Sequence, residues 1–544
     1  MRLLRVEVIS AATCGGLLDR LSIQLKSSLS DMTEFSPLCL IGPNGAGKSQ
    51  FLQILAEMFQ SAFHAFVPNQ ERRDGNMDLL FKLEYLIDEG KGKAPVHVRI
   101  SRLSNGKRRP ELKIERLRGE DWLVCSPESP DTAALLPSKV VGYTSGGNET
   151  LSLPFLISRG EYANDVRERA RGNDPDSSVV PDTRLMLIDY GTHLEVLVAN
   201  LVLGTDSHRK ALLEEARLKD IHSFRCIVQL GHPAAPRVAA RRASGSTYKG
   251  VQLTAELEQY IDHLCRCATC HSFDELTQSY TFDFRVTEAT KEAFGAFFSS
   301  TLELYTALHK LAMLNDLAIP KTVRERFSRD TIARRFASRL PEPQDEDKVF
   351  RFERVTFIGE KTGNAVDYVS LSDGEHQLVQ LLGTFCMISY PNVLFLLDEP
   401  ESHFNPQWRV KFLSRLKDLP TPNGKRNDPK SEVARQECLL TTHAPFVPSD
   451  MPGKNVVIFR KTNGEIVAEP PRIETYGTTF DSILEECFGV RPPISDSPKA
   501  EIERLMNSTD PKEIRSGLKR LGASVEKAFL TDHLRQVLKE SEAK

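Results

Sequence analysis

The sequence predicts an α/β fold. Its core is a parallel sheet carrying a P-loop, flanked by an antiparallel β subdomain, a large helical insertion and a helical C-terminal tail. Three observations predict it. Gly42-Pro43-Asn44-Gly45-Ala46-Gly47-Lys48-Ser49 links an apolar run at 37–41 to a segment with helical apolar spacing at 50–59, the strand–loop–helix context of a phosphate-binding loop. Residues 393–397 are a continuous apolar run, as in a strand buried on both faces, and end in Asp398-Glu399. Between these landmarks the pattern from about 155 to 345 is mostly helical.

Taken in order, residues 3–9 and 21–25 read as strands, followed by the glycine-loop strand and its helix to about residue 66. Segments 77–86, 96–100 and 112–114 alternate, with the turn signal Asn105-Gly106 between the last two, which predicts an antiparallel sheet. Residues 139–144 read as another core strand. The clearest helices of the insertion are expected at 193–218, 253–267 and 291–314, with polar surface loops at 171–182 and 234–249. Strand pattern returns at 350–358. A helix to about 389, the strand ending at Asp398, a helix at 406–416, a buried strand at 438–442 and a hairpin turning at Asn463-Gly464 follow. The expected domains are 1–154, 155–345, 346–479 and a helical tail, 480–544. No heptads run through the insertion, so it reads as a packed lobe rather than a coiled coil.

The chain has 544 residues, a hydrophobic fraction of 40% and a net charge of −3, which suits a soluble protein of roughly two to four domains. No apolar run approaches the roughly 18 to 20 residues of a membrane span. Met1-Arg2-Leu3-Leu4-Arg5-Val6-Glu7 carries an early glutamate and reads as a strand rather than a signal peptide, so a cytoplasmic location without a membrane is expected. Ten cysteines scattered among apolar residues read as buried thiols. The near-neutral charge leaves nucleic-acid binding to local patches.

The candidate chemistry is phosphoryl transfer with ATP and Mg²⁺. Gly42 to Gly47 turn backbone N–H groups toward phosphates. Lys48 reaches the β- and γ-phosphates, and Ser49 holds Mg²⁺. Asp398 completes the Mg²⁺ shell, and Glu399 polarises the attacking water. His443, after Thr442, hydrogen-bonds the γ-phosphate. In Leu371-Ser372-Asp373-Gly374-Glu375, Ser372 supplies a donor and Gly374 a close backbone approach. Singly these signals have plainer readings: a strand-end turn at Asp398-Glu399, an ordinary loop histidine at His443, and a helix capping box from Ser372 to Glu375.

Together, and with Glu401-Ser402-His403-Phe404-Asn405 after the acidic pair, these elements resemble the ABC-type ATPase head: Walker A, signature, Walker B, D-loop and switch histidine, in that order. The resemblance implies that Ser372 and Gly374 complete the nucleotide site of a second protomer, in an ATP-bound homodimer or higher homo-oligomer. Asp373 and Glu375 depart from the transporter signature. The roughly 320 residues between Lys48 and the signature disfavour a transporter subunit. The absence of heptads disfavours an SMC-type protein. The OLD-type nucleases carry a Toprim domain for which the roughly 100 residues after His443 show no Asp-x-Asp pair.

Over most of its length the chain resembles the Septu anti-phage ATPase family (PtuA), particularly its retron-associated form. The resemblance rests on Tyr143-Thr144-Ser145-Gly146-Gly147-Asn148-Glu149, on 371–377, and on tail segments 480–490 and 521–527. It implies a separate HNH nuclease partner (PtuB-like), a reverse transcriptase and a retron DNA–RNA hybrid, with no nuclease in this chain. The competing readings are a DNA repair or recombination ATPase of the RecF/SMC-like or OLD-like class, and a nucleotide-binding scaffold with little turnover.

Further features stand outside this set. Asn148 is a candidate for the loop contact to Mg²⁺ and water. Cys265, Cys267 and Cys270, with His263 and His271, have either zinc-ligand or plain thiol character. Arg237, Arg241, Arg242 and Lys249, and separately Lys107-Arg108-Arg109, offer either phosphate contacts or solvated loops. The charged tail helices either dock a partner or cover a sheet face.

Overall fold

The computed structural model describes the chain except residues 27–33, 72, 91–92, 105, 107–109, 147–148, 161, 171–178, 233–236, 240–246, 333–342, 362, 422–423, 492 and 543–544. It divides into two units, Met1–Gly477 and Thr478–Lys544.

The first unit is built on a seven-stranded sheet. Its strand order is Glu465–Glu469, Val456–Thr462, Leu38–Ile41, Glu437–Thr442, Val393–Asp398, Lys139–Thr144, Leu185–Ile188. All neighbours are parallel except the hairpin at the Glu465–Glu469 edge. The five strands from Leu38–Ile41 to Leu185–Ile188 are buried at every residue. That is why they read as unbroken apolar runs: a parallel sheet is covered on both faces. The edge hairpin turns at Asn463 (φ 54°) and Gly464 (φ 89°), the two left-handed positions that the twist of a tight hairpin requires.

A six-stranded antiparallel sheet runs in the order Ser22–Gln24, Arg2–Ser10, Leu80–Ile87, Val96–Arg102, Leu112–Arg118, Asp121–Val124. The helix Lys48–Phe66 shares one apolar core with both sheets and is buried along nearly its whole length. Its phenylalanines Phe51, Phe59 and Phe63 are fully buried, each stabilising the fold by roughly 1.5–3 kcal/mol. Its one buried carboxylate, Glu57, is satisfied on both oxygens by Gln53 and Asn76, each at 2.9 Å, as a buried charge must be.

The insertion holds the helices His193–Leu203, Asp206–Leu213, Ala255–Cys267, Glu288–Phe297 and Thr301–Met313. It also holds strands that the helical reading of 155–345 does not contain. A five-stranded antiparallel sheet runs Cys270–Asp274, Ser279–Arg285, Leu218–Gln229, Phe350–Gly359, Ala365–Asp367. Leu218, Ile221 and Phe224 are buried and three residues apart, which mimics a helical stripe. The spacing arises from register shifts at 218/220 and 221/223, because each bulge resets the alternation of a strand. The strand Phe350–Gly359 joins this sheet rather than the parallel one. The helix His193–Leu203 packs on the helix Asp373–Met387, where Asn200 Nδ2 donates to the Gly383 carbonyl at 3.0 Å.

The second unit carries the helices Phe480–Phe488, Asp496–Met506, Pro511–Arg520 and Val525–Glu542. Leu505, Ile514, Leu530, Leu534 and Val537 form its small core. Among the described residues no helix is long and apolar enough to cross a membrane.

Candidate functional site

The glycine loop leaves the strand Leu38–Ile41 through Gly42, whose φ is 145°. A Cβ there would stand 2.2 Å from the Phe459 carbonyl oxygen, so only glycine lets the loop pass beneath the neighbouring strand. Gly47 (φ 84°) ends the loop and begins the helix Lys48–Phe66 with no side-chain cap. The first-turn N–H groups are therefore left for an anion. Pro43, Asn44 and Gly45 are exposed, while Ala46 and Gly47 are buried. Lys48 Nζ curls back to the carbonyls of Gly42 (2.8 Å) and Pro43 (3.1 Å). Burial pulls its pKa down to about 8, against the attraction of Glu399 and Asp398.

The sheet order sets Glu437–Thr442 between the glycine-loop strand and the strand that ends at Asp398. Ser49 Oγ donates to Asp398 Oδ1 at 2.9 Å, and Thr441 Oγ1 donates to the same oxygen. The Glu399 N–H donates to Thr441 Oγ1 at 3.0 Å, so one hydroxyl brackets both acidic residues. Glu399 itself has φ 47°, a left-handed conformation rare for a residue with a Cβ. His443 Nε2 lies 3.0 Å from Glu399 Oε1. The hydrogen bond from His443 holds the Glu399 carboxyl below the usual range despite its burial. Burial raises the Asp398 pKa, partly offset by the hydrogen bonds from Thr441 and Ser49.

This donor set fits the expected groups. A hydroxyl and a carboxylate oxygen, Ser49 and Asp398, are hard ligands of the kind Mg²⁺ takes. The uncapped helix start and the glycine-lined bend provide a cradle for phosphate oxygens.

A second layer ties the loops together. Glu401 is buried, accepts a hydrogen bond from Thr442 Oγ1, and has its other carboxylate oxygen unpartnered. Burial pushes its pKa up to about 7. Ser402 Oγ bonds Ser145 Oγ at 2.8 Å, and Gln377 Nε2 donates to the Ser145 carbonyl. Thus the loop after Asp398, the end of the strand Lys139–Thr144 and the helix Asp373–Met387 meet at Ser145.

Ser372 and Gly374 lie at the start of that helix. Ser372 is the N-cap, in a reciprocal capping box with Glu375, and is exposed. Its hydrogen bonds stay within the cap, and none joins it to residues 42–49 of the same chain. A Cβ at Gly374 would stand 2.8 Å from the His403 carbonyl oxygen, so within one protomer this glycine admits the loop 401–405.

The sequence reading did not single out Thr441, nor the particular roles of Glu401, Ser145 and Gln377. The available signal for Thr441 was its place two residues before His443 on a strand, which puts both on one face. Asn148 lies outside the described residues, as do Arg241, Arg242, Lys107, Arg108, Arg109 and the side chain of Arg237; Lys249 is exposed. The cysteine cluster is not gathered: Cys267 is buried, Cys270 is exposed at the next strand, and His263 stacks on Phe297 at 4.8 Å. Burial pushes the Cys267 thiol up to about 12, away from the thiolate that zinc needs. Among the described residues no group of three or more His, Cys, Asp or Glu side chains is placed to hold a metal.

No curated protein matches the sequence. Residues 276–450 are similar to the family described as AAA domain, putative AbiEii toxin, Type IV TA system, a stretch that contains Ser372, Gly374, Asp398, Glu399 and His443.

Proposed function

We propose that the chain is an ATP-binding and ATP-hydrolysing ABC-type head that gates a partner nuclease in an anti-phage defence system of the Septu or retron type. The observation that carries the reading is the convergence of Ser49, Asp398, Thr441, Glu399 and His443, on three chain segments, beside the uncapped helix start at Lys48. Mg²⁺ on Ser49 and Asp398 would neutralise charge on the β- and γ-phosphates. Lys48 and the loop N–H groups bind those phosphates. Glu399, held in its ionised form by His443, accepts a hydrogen bond from the attacking water and orients it. His443 is then shared between Glu399 and the γ-phosphate, so loss of that phosphate frees the imidazole.

Ser372 lies at an accessible helix N-terminus and has no link to its own glycine loop, which suits a nucleotide held by a second copy. ATP then closes two heads, and hydrolysis parts them. The similarity to a toxin–antitoxin type AAA domain supports a defence role. On the Septu resemblance the partner is an HNH nuclease, with a reverse transcriptase and DNA–RNA hybrid in a retron setting.

The test is sedimentation of the purified chain with ATP. Glu399→Gln accumulates ATP-bound dimers, and Ser372→Arg binds ATP but stays monomeric. Dimers of Ser372→Arg would remove the trans-signature reading. The purified chain alone leaves DNA and RNA intact; cleavage insensitive to the ATPase residues would overturn the gating role.

A further inference from the structure

A cavity of about 40 Å³ lies between the edge strand Leu185–Ile188 and the helices Glu149–Arg159, Tyr162–Arg169 and Thr301–Met313. It holds room for a small polyatomic ion or a few waters. Lys139 and Asp182 line it at the N-terminal end of the parallel strands, opposite the end that carries Asp398 and His443.

Arg159 lines this cavity, and its guanidinium makes no hydrogen bond or ion pair among the described residues. Burial disfavours its charge, but attraction from Asp316, Asp189 and Glu195 outweighs that and raises its pKa, although none of the three hydrogen-bonds it. Burial raises the pKa of Asp316 and lifts Glu195 to about 7, so both carboxylates are drawn toward their neutral forms. Lys139 is already paired with Asp182 at 2.7 Å. The hydroxyls of Tyr162 and Tyr305 and the Nδ1 of His309 are buried without a partner; Tyr162 is 5% exposed and Tyr305 2%. Burial holds His309 down to about 3 and raises both phenols, so the ring is neutral and the hydroxyls are donors.

Arg159 is half-buried and keeps its charge, and its unused N–H donors stand beside two buried hydroxyls that also lack partners. A planar or tetrahedral oxyanion satisfies all three, since the guanidinium fork presents parallel N–H donors. We propose that this cavity binds a small oxyanion, a phosphate or carboxylate group, held by Arg159 with the hydroxyls of Tyr162 and Tyr305. The site is independent of the ATPase reading, because it shares no residue with the glycine loop or the acidic pair.

The experiment is calorimetric titration of the full chain, kept in saturating ADP and Mg²⁺ so that the glycine loop is filled. Inorganic phosphate and acetate are the two probes. At least one binds one-to-one, about tenfold or more weaker in Arg159→Gln, and weaker also in Tyr305→Phe, with ADP affinity unchanged in both. Binding of phosphate alone identifies a phosphoryl ligand, and of acetate alone a carboxylate. Absence of saturable binding by either probe, or binding indifferent to both substitutions, overturns the site. Tyr305→Phe removes only an unpartnered hydroxyl, so it decides the question should Arg159→Gln fail to fold.

Discussion

His443 Nε2 stands 3.0 Å from Glu399 Oε1, joining the ends of two adjacent parallel strands across the position where a γ-phosphate is expected. The acidic partner is held by its backbone as well, through Thr441, so the pair is fixed before any nucleotide arrives. Such preorganisation is how a site of this kind lowers a barrier.

Glu399→Gln keeps the side chain's shape but removes the carboxylate. Phosphate release falls roughly a hundredfold or more, while binding of a fluorescent ATP analogue persists. Unchanged turnover in the purified variant removes Glu399 as the water-orienting group.

Thr441→Val deletes the hydroxyl that donates to Asp398 and accepts from the Glu399 N–H. Two buried partners lose a bond, so stability drops by about 1–3 kcal/mol, read by urea denaturation, and turnover falls with it. Thr441→Ser restores both. A valine variant with normal kinetics shows that Glu399 keeps its place without this bracket.

Gly42→Ala sets a Cβ 2.2 Å from the Phe459 carbonyl at a φ of 145°. Neither backbone can give way without disturbing the sheet, so the loss is about 2 kcal/mol or more. Thermal melting of the two proteins tests this, and an unchanged midpoint contradicts the close approach.

Glu401 titrates near pH 7 when folded, against an ordinary value of 4.5. Its folded pKa is raised, so the native state binds the extra proton. Its contribution is therefore present below about pH 4.5 and is lost as pH rises toward 7. Glu401→Gln mimics the protonated form. Its stability relative to the parent chain grows across that window, by about 3 kcal/mol at most, and levels off above it. A difference that stays flat from pH 4.5 to 7 shows that Glu401 is not held protonated.

Much of this molecule is legible in the order of its residues. Glycine spacing, an unbroken apolar run and a terminal Asp-Glu are local signals, because a phosphate loop and a doubly covered strand impose their demands on adjacent residues. The sheet at Leu218–Gln229 was hidden, since its bulges give a strand the spacing of a helix.

Sequence alone determined that Gly42 to Gly47 form a glycine-rich loop between a strand and a helix, that Asp398 and Glu399 lie at the end of a buried strand, and that His443 follows another. Only the tertiary structure decided that the strand Glu437–Thr442 lies between the other two. That order gives Thr441 its hold on both acidic residues and His443 its reach to Glu399. The physical reason is that hydrogen bonds between neighbouring parallel strands set which side chains stand abreast, and strand order is a property of long-range packing that no local pattern encodes.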